Sequence, residues 1–303
     1  MAALPFQRRN PGPSDGPRTA FVLSGGGNQG VAQVGMLRAL IERGVVPDIV
    51  VGTSAGSING AAVAADPTPE GIDVLAEVWR SLHGEQIFPG GRLSRAWNVV
   101  RKGTHLFSND GLRRVVEMLP ARRFEDLAVP LRVVTCDFET GEEIVLAAGP
   151  LTPAILASAA LPGVFPPVEH GGRLYIDGGV VNNVPLRHAL MGPVDRVFVL
   201  NVTGGVNDRP PRTPLDVTLR AFAIARNRRY ELERSLAPSD VEIIEMPKPD
   251  DDRPIFDFTG GDTIIDEAYA LACRFLDERG YEATVTPIEP RRRWFRRSRT
   301  RVA

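Results

Sequence analysis

The chain has 303 residues, of which 43% are hydrophobic and 24% charged, so it carries enough apolar material for a large buried core. Its 36 Lys and Arg nearly cancel its 37 Asp and Glu, and the formal net charge of -1 gives no overall attraction to nucleic acid or to an anionic surface. No stretch approaches the ~20 apolar residues needed to span a bilayer.

Residues 1–18 are rich in Pro, Gly and Arg and lack the apolar run of a secretory signal, so they read as a flexible segment. Thr19 to Ser24 is a short apolar strand, interrupted by Gly25-Gly26-Gly27-Asn28-Gln29-Gly30. Val31 to Arg43 then places Val34, Leu37, Leu40 and Ile41 at helical spacing and stops at Gly44. A second strand, Ile49 to Val51, leads into Gly52-Thr53-Ser54-Ala55-Gly56, and Ser57 to Ala65 reads as a helix of small residues.

Pro69 to Leu82 is amphipathic through Ile72, Leu75, Val78 and Trp79. From 85 to 109 the pattern breaks into Pro, Gly, Arg and aromatics. Leu93, Trp97 and Val100 can share one helical face there, which makes the region a candidate lid or a helix docked on its own domain. Asp110 to Leu119 is a short helix, Leu131 to Phe138 and Glu142 to Ala147 a hairpin, and Pro153 to Ala160 a helix. Leu174-Tyr175-Ile176-Asp177-Gly178-Gly179 is a strand that ends in a carboxylate flanked by two glycines, the edge at which open α/β sheets place their chemistry.

Arg196 to Val202 and Val241 to Met246 are further strands; Pro214 to Leu236 and Asp262 to Arg279 are helices. Strands alternating with helices predict an α/β fold with a mainly parallel central sheet covered by helices on both faces. Residues 19–285 are expected to form one domain and 286–303 a basic, Arg-rich tail. Cys136 and Cys273 read as buried free thiols in a reducing cytoplasm, and the four histidines have no metal-ligand spacing, so no cofactor or metal is expected.

Two glycine motifs compete for the chemistry. Gly52-Thr53-Ser54-Ala55-Gly56 fits the G-x-S-x-G elbow in its strand, turn, helix context, which would expose Ser54 as a nucleophile at a sharp turn. Gly25-x-Gly27-x-x-Gly30 also satisfies a dinucleotide fingerprint, with Asp48 near the expected distance but ahead of the second strand. The same loop, through backbone N–H groups and a helix N-terminus, could instead bind an oxyanion facing Ser54. Ser54 needs a proton acceptor: Asp177 fits by context, and a Ser54, Asp177, His188 triad is the rival arrangement.

Together the glycine loop 25–30, the elbow 52–56, the segment Ser158 to Pro167 and Asp177-Gly178-Gly179 with Asn182 and Pro185 resemble the patatin-like phospholipases. The resemblance implies a lipid acyl hydrolase with a serine–aspartate dyad: Ser54 as nucleophile, Asp177 as base, and Gly25, Gly26 and Gly27 with the Ala55 N–H as the oxyanion hole. It implies a lipid ester substrate. The near-zero net charge gives no nucleic acid partner, the cysteines suit a cytoplasmic protein, and the composition of 85–109 and of the Arg-rich tail makes both candidates for peripheral membrane contact, with a solvated tail the alternative. The family usually carries Arg or Lys just before the last glycine of the loop, where this chain has Gln29. That departure keeps a lipid-binding protein without turnover as the alternative.

Overall fold

The structure is a computed structural model that describes residues 16–82, 105–203, 214–251, 253 and 257–283. Most of the N-terminal segment, most of the candidate lid with its Leu93, Trp97 and Val100 face, and the whole basic tail lie outside the described residues.

The elements in chain order are β1 (Thr19–Leu23), α1 (Val31–Glu42), β2 (Ile49–Thr53), α2 (Ala55–Ala65), α3 (Pro69–Ser81) and α4 (Asp110–Val116). There follow β3 (Leu131–Asp137), β4 (Glu143–Leu146), α5 (Leu151–Ser158), β5 (Val168–His170), β6 (Arg173–Asp177) and α6 (Leu186–Ala189). The last are β7 (Arg196–Leu200), α7 (Pro214–Ser235), β8 (Glu242–Glu245) and α8 (Gly261–Asp277).

Among the described residues these strands form one sheet in the order β5-β6-β3-β2-β1-β7-β8, with β4 also paired to β3. The path β3-β2-β1-β7-β8 is parallel throughout, while β4, β5 and β6 run antiparallel to their neighbours. The expected α/β architecture is therefore present, with an antiparallel edge. The continuous apolar runs of β1 and β2 follow from their place at the centre, where both faces are covered. Phe21 and Leu23 enter the larger core, which α1, α3, α5 and α8 close, while Ala20 and Val22 point into a smaller one closed by Leu186 and Ala189 of α6 and Tyr230 of α7. Each fully buried Phe or Leu there contributes roughly 1.5–3 kcal/mol relative to exposure. Helix α8 lies against α1 at Gly35, where a Cβ would stand 2.3 Å from the Ile265 carbonyl oxygen.

The register at β3 positions the site. Leu131 to Val134 pairs with β2 and Thr135 to Asp137 with β6, while β4 spans Val133 to Cys136 and overlaps both. A strand has only two edges, so β4 takes one and leaves β2 and β6 end to end on the other. The parallel strand finishes at Thr53 and the antiparallel one at Asp177, on adjacent positions of β3, Val134 and Thr135.

Some boundaries differ from expectation. The helix expected from Ser57 starts at Ala55, which brings the Ala55 N–H into its first turn, and the one expected over Pro153 to Ala160 runs Leu151–Ser158. Strand β5 has three residues, too few for an alternation to register in the sequence. Cys136 is buried as expected, whereas Cys273 is only half-buried and accepts a hydrogen bond from Arg43 Nη1 at 3.3 Å.

Candidate active site

Ser54 is the one non-glycine residue with positive φ among the described residues, at φ 53° and ψ -123°. Such a conformation costs of order 1–3 kcal/mol and persists only where the surroundings impose it. Here they do. The Ser54 N–H donates to Ser158 Oγ (2.9 Å), whose own hydroxyl donates to the Val134 carbonyl (2.6 Å). Ser57 Oγ donates to the Ser54 carbonyl at 2.6 Å, and Thr53 Oγ1 to the Asn182 carbonyl at 3.0 Å. The flanking glycines allow the fold-back: a Cβ at Gly52 would meet Gly56 O, and one at Gly56 would meet Leu23 O, each at 2.3 Å.

The Ser54 hydroxyl donates to Asp177 Oδ2 at 2.7 Å. The other carboxylate oxygen, Oδ1, accepts from the Gly179 N–H at 2.7 Å, so the turn that follows β6 fixes the plane of the carboxylate. Asp177 is 3% exposed. Burial pushes its carboxyl up from the ordinary 3.8 to about 6, against the hydrogen bonds from Ser54 and Gly179 and the charge of Arg226, which act in the other direction. A carboxylate so placed accepts a proton from a hydroxyl more readily than a solvated one.

The glycine loop lies beside this pair. A Cβ on Gly25 would stand 3.0 Å from Ser54 Cβ and 2.5 Å from Asn183 Oδ1, so glycine is required for the close approach. The Gly25 N–H is already taken, donating to the Asn183 carbonyl at 3.1 Å, and Asn183 Nδ2 returns a bond to the Gly25 carbonyl at 3.3 Å. The N–H groups of Gly26, Gly27 and Ala55 donate to no described residue. Gly27 has φ 57° and opens the single 3-10 turn Gly27–Gly30 that leads into α1. Gln29 turns away, its Nε2 donating to the Asp251 carbonyl at 3.2 Å.

The family model of the patatin-like phospholipases matches residues 21–190, more than half of the chain, from β1 through α6. The chain belongs to this family. Among curated patatin-like relatives, it is 35% identical over 177 residues to a patatin-like phospholipase domain-containing protein of Caenorhabditis elegans, covering 56% of this chain and 12% of that protein. It is 33% identical over 175 residues to an uncharacterised NTE family protein of Mycobacterium bovis, covering 56% and 28%. It is 29% identical over 218 residues to lysophospholipase NTE1 of Candida glabrata, covering 70% and 12%. This chain thus spans less than a third of each of these relatives. Among solved structures, VipD from Legionella pneumophila aligns with a TM-score of 0.48 at 15% identity, covering 86% of this chain and 67% of that one.

Within this patatin-like framework, the two rival readings of the motifs lose their geometry. His188 Nε2 lies 2.6 Å from Glu143 Oε1, in a half-buried cluster with Arg229, and its partner is that carboxylate rather than Asp177. Asp48 sits at the opposite end of β2 from Ser54, where its carboxylate accepts the Thr19 N–H at 2.7 Å, so it closes the bottom of the sheet and is remote from the glycine loop. Ser158 and Asn183 hold the elbow and the loop, roles that sequence reasoning missed. Both lie in or beside the motif blocks that carry the patatin-like resemblance, which was the available signal.

Proposed function

We propose that this protein is a serine acyl hydrolase that cleaves carboxylic ester bonds of lipids, with Ser54 as nucleophile and Asp177 as general base. The observation that carries the reading is the 2.7 Å hydrogen bond from a strained, positive-φ serine to a buried carboxylate. Ser54 Oγ attacks the ester carbonyl carbon as its proton passes to Asp177 Oδ2, and the carbonyl π pair moves onto oxygen. The N–H groups of Gly26 and Gly27, with that of Ala55 at the start of α2, receive the oxyanion. Gly25 serves by leaving room, since its own N–H is committed to Asn183. Collapse breaks the bond to the alcohol, which leaves with the proton from Asp177. Water then attacks the acyl-Ser54 ester, gives its proton to Asp177, and the carboxylic acid departs as Ser54 Oγ is reprotonated.

Asp177 must be ionised to act, so kcat/KM should rise with pH through about 6 and level off above it. A chromogenic short-chain ester tests the reading. The unmodified protein should turn it over, with Ser54→Ala inactive and Asp177→Asn reduced by several orders of magnitude. Undiminished turnover by Ser54→Ala would refute it, and binding of lipid vesicles by a protein that hydrolyses no ester would favour the lipid-binding alternative that Gln29 raised.

A further inference from the structure

Helix α7 lies beyond the family match and passes over the turn that carries Asp177. Arg229 Nη1 donates to the Val181 carbonyl at 2.9 Å, and Glu233 accepts from Asn182 Nδ2 at 3.0 Å and from the Arg187 N–H at 2.9 Å. Arg226 precedes these by three and seven residues, so it shares their helix face one turn nearer the N-terminus. Its charge is felt at Asp177.

The arginines around it are paired: Arg228 with Glu231, Arg229 with Glu143 and Glu233, Arg234 with Glu245. Arg226 is not. Its Nε is sealed from solvent without a hydrogen-bond partner, and the residue makes no hydrogen bond or salt bridge to any described residue. Asp177 does not supply one: its oxygens accept from Ser54 and Gly179, and no hydrogen bond or salt bridge joins it to Arg226. Burial works against the guanidinium charge, which that carboxylate offsets only through space. An arginine in this condition favours an incoming anion, and its planar fork matches phosphate oxygens in pairs.

We propose that Arg226 is the phosphate-recognising residue of the site, binding the phosphodiester of a phospholipid whose ester carbonyl lies at Ser54. The inference rests on the hydrolase reading above and names its substrate class: glycerophospholipids and lysophospholipids over neutral acylglycerols. In a phospholipid the phosphate and the ester are joined by a few bonds of glycerol, so a cation beside the dyad can hold one while Ser54 attacks the other. Gln29 leaves the glycine loop without a side-chain cation, and Arg226 supplies one from a different element.

The test compares a lysophosphatidylcholine with the monoacylglycerol of the same acyl chain, using the unmodified protein, Arg226→Gln and Arg226→Lys. Compared at pH 8 or above, where Asp177 is ionised with or without the charge of Arg226, Arg226→Gln should raise KM for the lysophospholipid on the order of ten- to a hundredfold, the usual weight of a charge-assisted hydrogen bond, and leave KM for the monoacylglycerol unchanged. Arg226→Lys, which keeps the charge and loses the fork, should fall between and serves if the glutamine variant does not fold. Calorimetric titration of Ser54→Ala with glycerophosphocholine and with inorganic phosphate, with and without Arg226→Gln, reads binding independently of turnover. The diester should bind and lose its binding with Arg226. A pH profile moved upward on both esters is expected from the lost charge beside Asp177, but equal losses on both esters at pH 8 would overturn the proposal, because Arg226 would then act only on Asp177. So would inorganic phosphate binding without the diester, or no change at all. If no ester is hydrolysed, the hydrolase reading fails, while the titration still decides whether Arg226 binds a phosphodiester.

Discussion

A carboxylate held at about 6 in a buried site is a base near neutral pH and also a local source of instability. The unfolded chain releases the Asp177 proton near 3.8 and the folded one only near 6, so between these values the folded state binds more protons. Stability associated with this group is therefore full below pH 4 and declines as pH rises through 6, by roughly 3 kcal/mol from the shift alone. Asp177→Asn keeps an acceptor for Ser54 and removes the buried charge. Thermal melts should show this variant more stable than the unmodified protein at pH 8 and no more stable at pH 4. A variant less stable at both values would mean that the ionised carboxylate is well accommodated. Residue identity was legible here, because a serine between glycines and an acid before two glycines announce unusual backbone; the environment that sets the proton affinity of Asp177 was not, since it comes from burial, from the bonds of Ser54 and Gly179, and from the charge of Arg226 on α7.

At the level of elements, the site depends on two strands that end against each other on one edge of β3. The sequence showed β2 and β6 as apolar runs ending in Thr53 and Asp177, but pairing direction is a tertiary property, and only the register places their ends at Val134 and Thr135. Helix α5 ties the elbow to β3: Ser158, its last residue, bonds both the elbow N–H and the Val134 carbonyl. Ser158→Ala leaves that part-buried N–H without its acceptor, which should cost about 1 kcal/mol or somewhat more. We expect a lower melting temperature and a fall in kcat with little change in KM, because substrate contacts remain and the serine's posture does not. Full stability and full activity in this variant would show that the elbow is held without it. The pattern of α5 announces only an apolar helix, so nothing local to it told of this function.

Across the whole molecule, polar side chains tie the back of the dyad to distant elements. Glu143 of β4 meets His188 of α6, Arg229 of α7 and Asn182, whose carbonyl in turn accepts from Thr53. Burial works to raise the Glu143 carboxyl, but the hydrogen bonds from His188 and Asn182 and the charges of His188 and Arg229 outweigh it and hold the group at about 2, below the ordinary 4.5. Its contribution is present above pH 4.5 and is lost as pH falls toward 2. Glu143→Gln should therefore be less stable at pH 7 and show a shallower loss of stability in acid, as followed by denaturant melts over that range. An unchanged acid limb would remove Glu143 from the account. The alternation of strands and helices made the α/β layering readable over the whole chain, yet the sequence showed α7 only as a helix with abundant arginine. Which of those arginines lacks a partner depends on what α7 lies across. The central claim remains the reactivity of one side chain, and treatment with a fluorophosphonate followed by peptide mass mapping tests it most directly. The account predicts a single phosphonyl adduct on Ser54, formed at pH 8 and absent when Asp177→Asn is used; no adduct, or one on another residue, would contradict it.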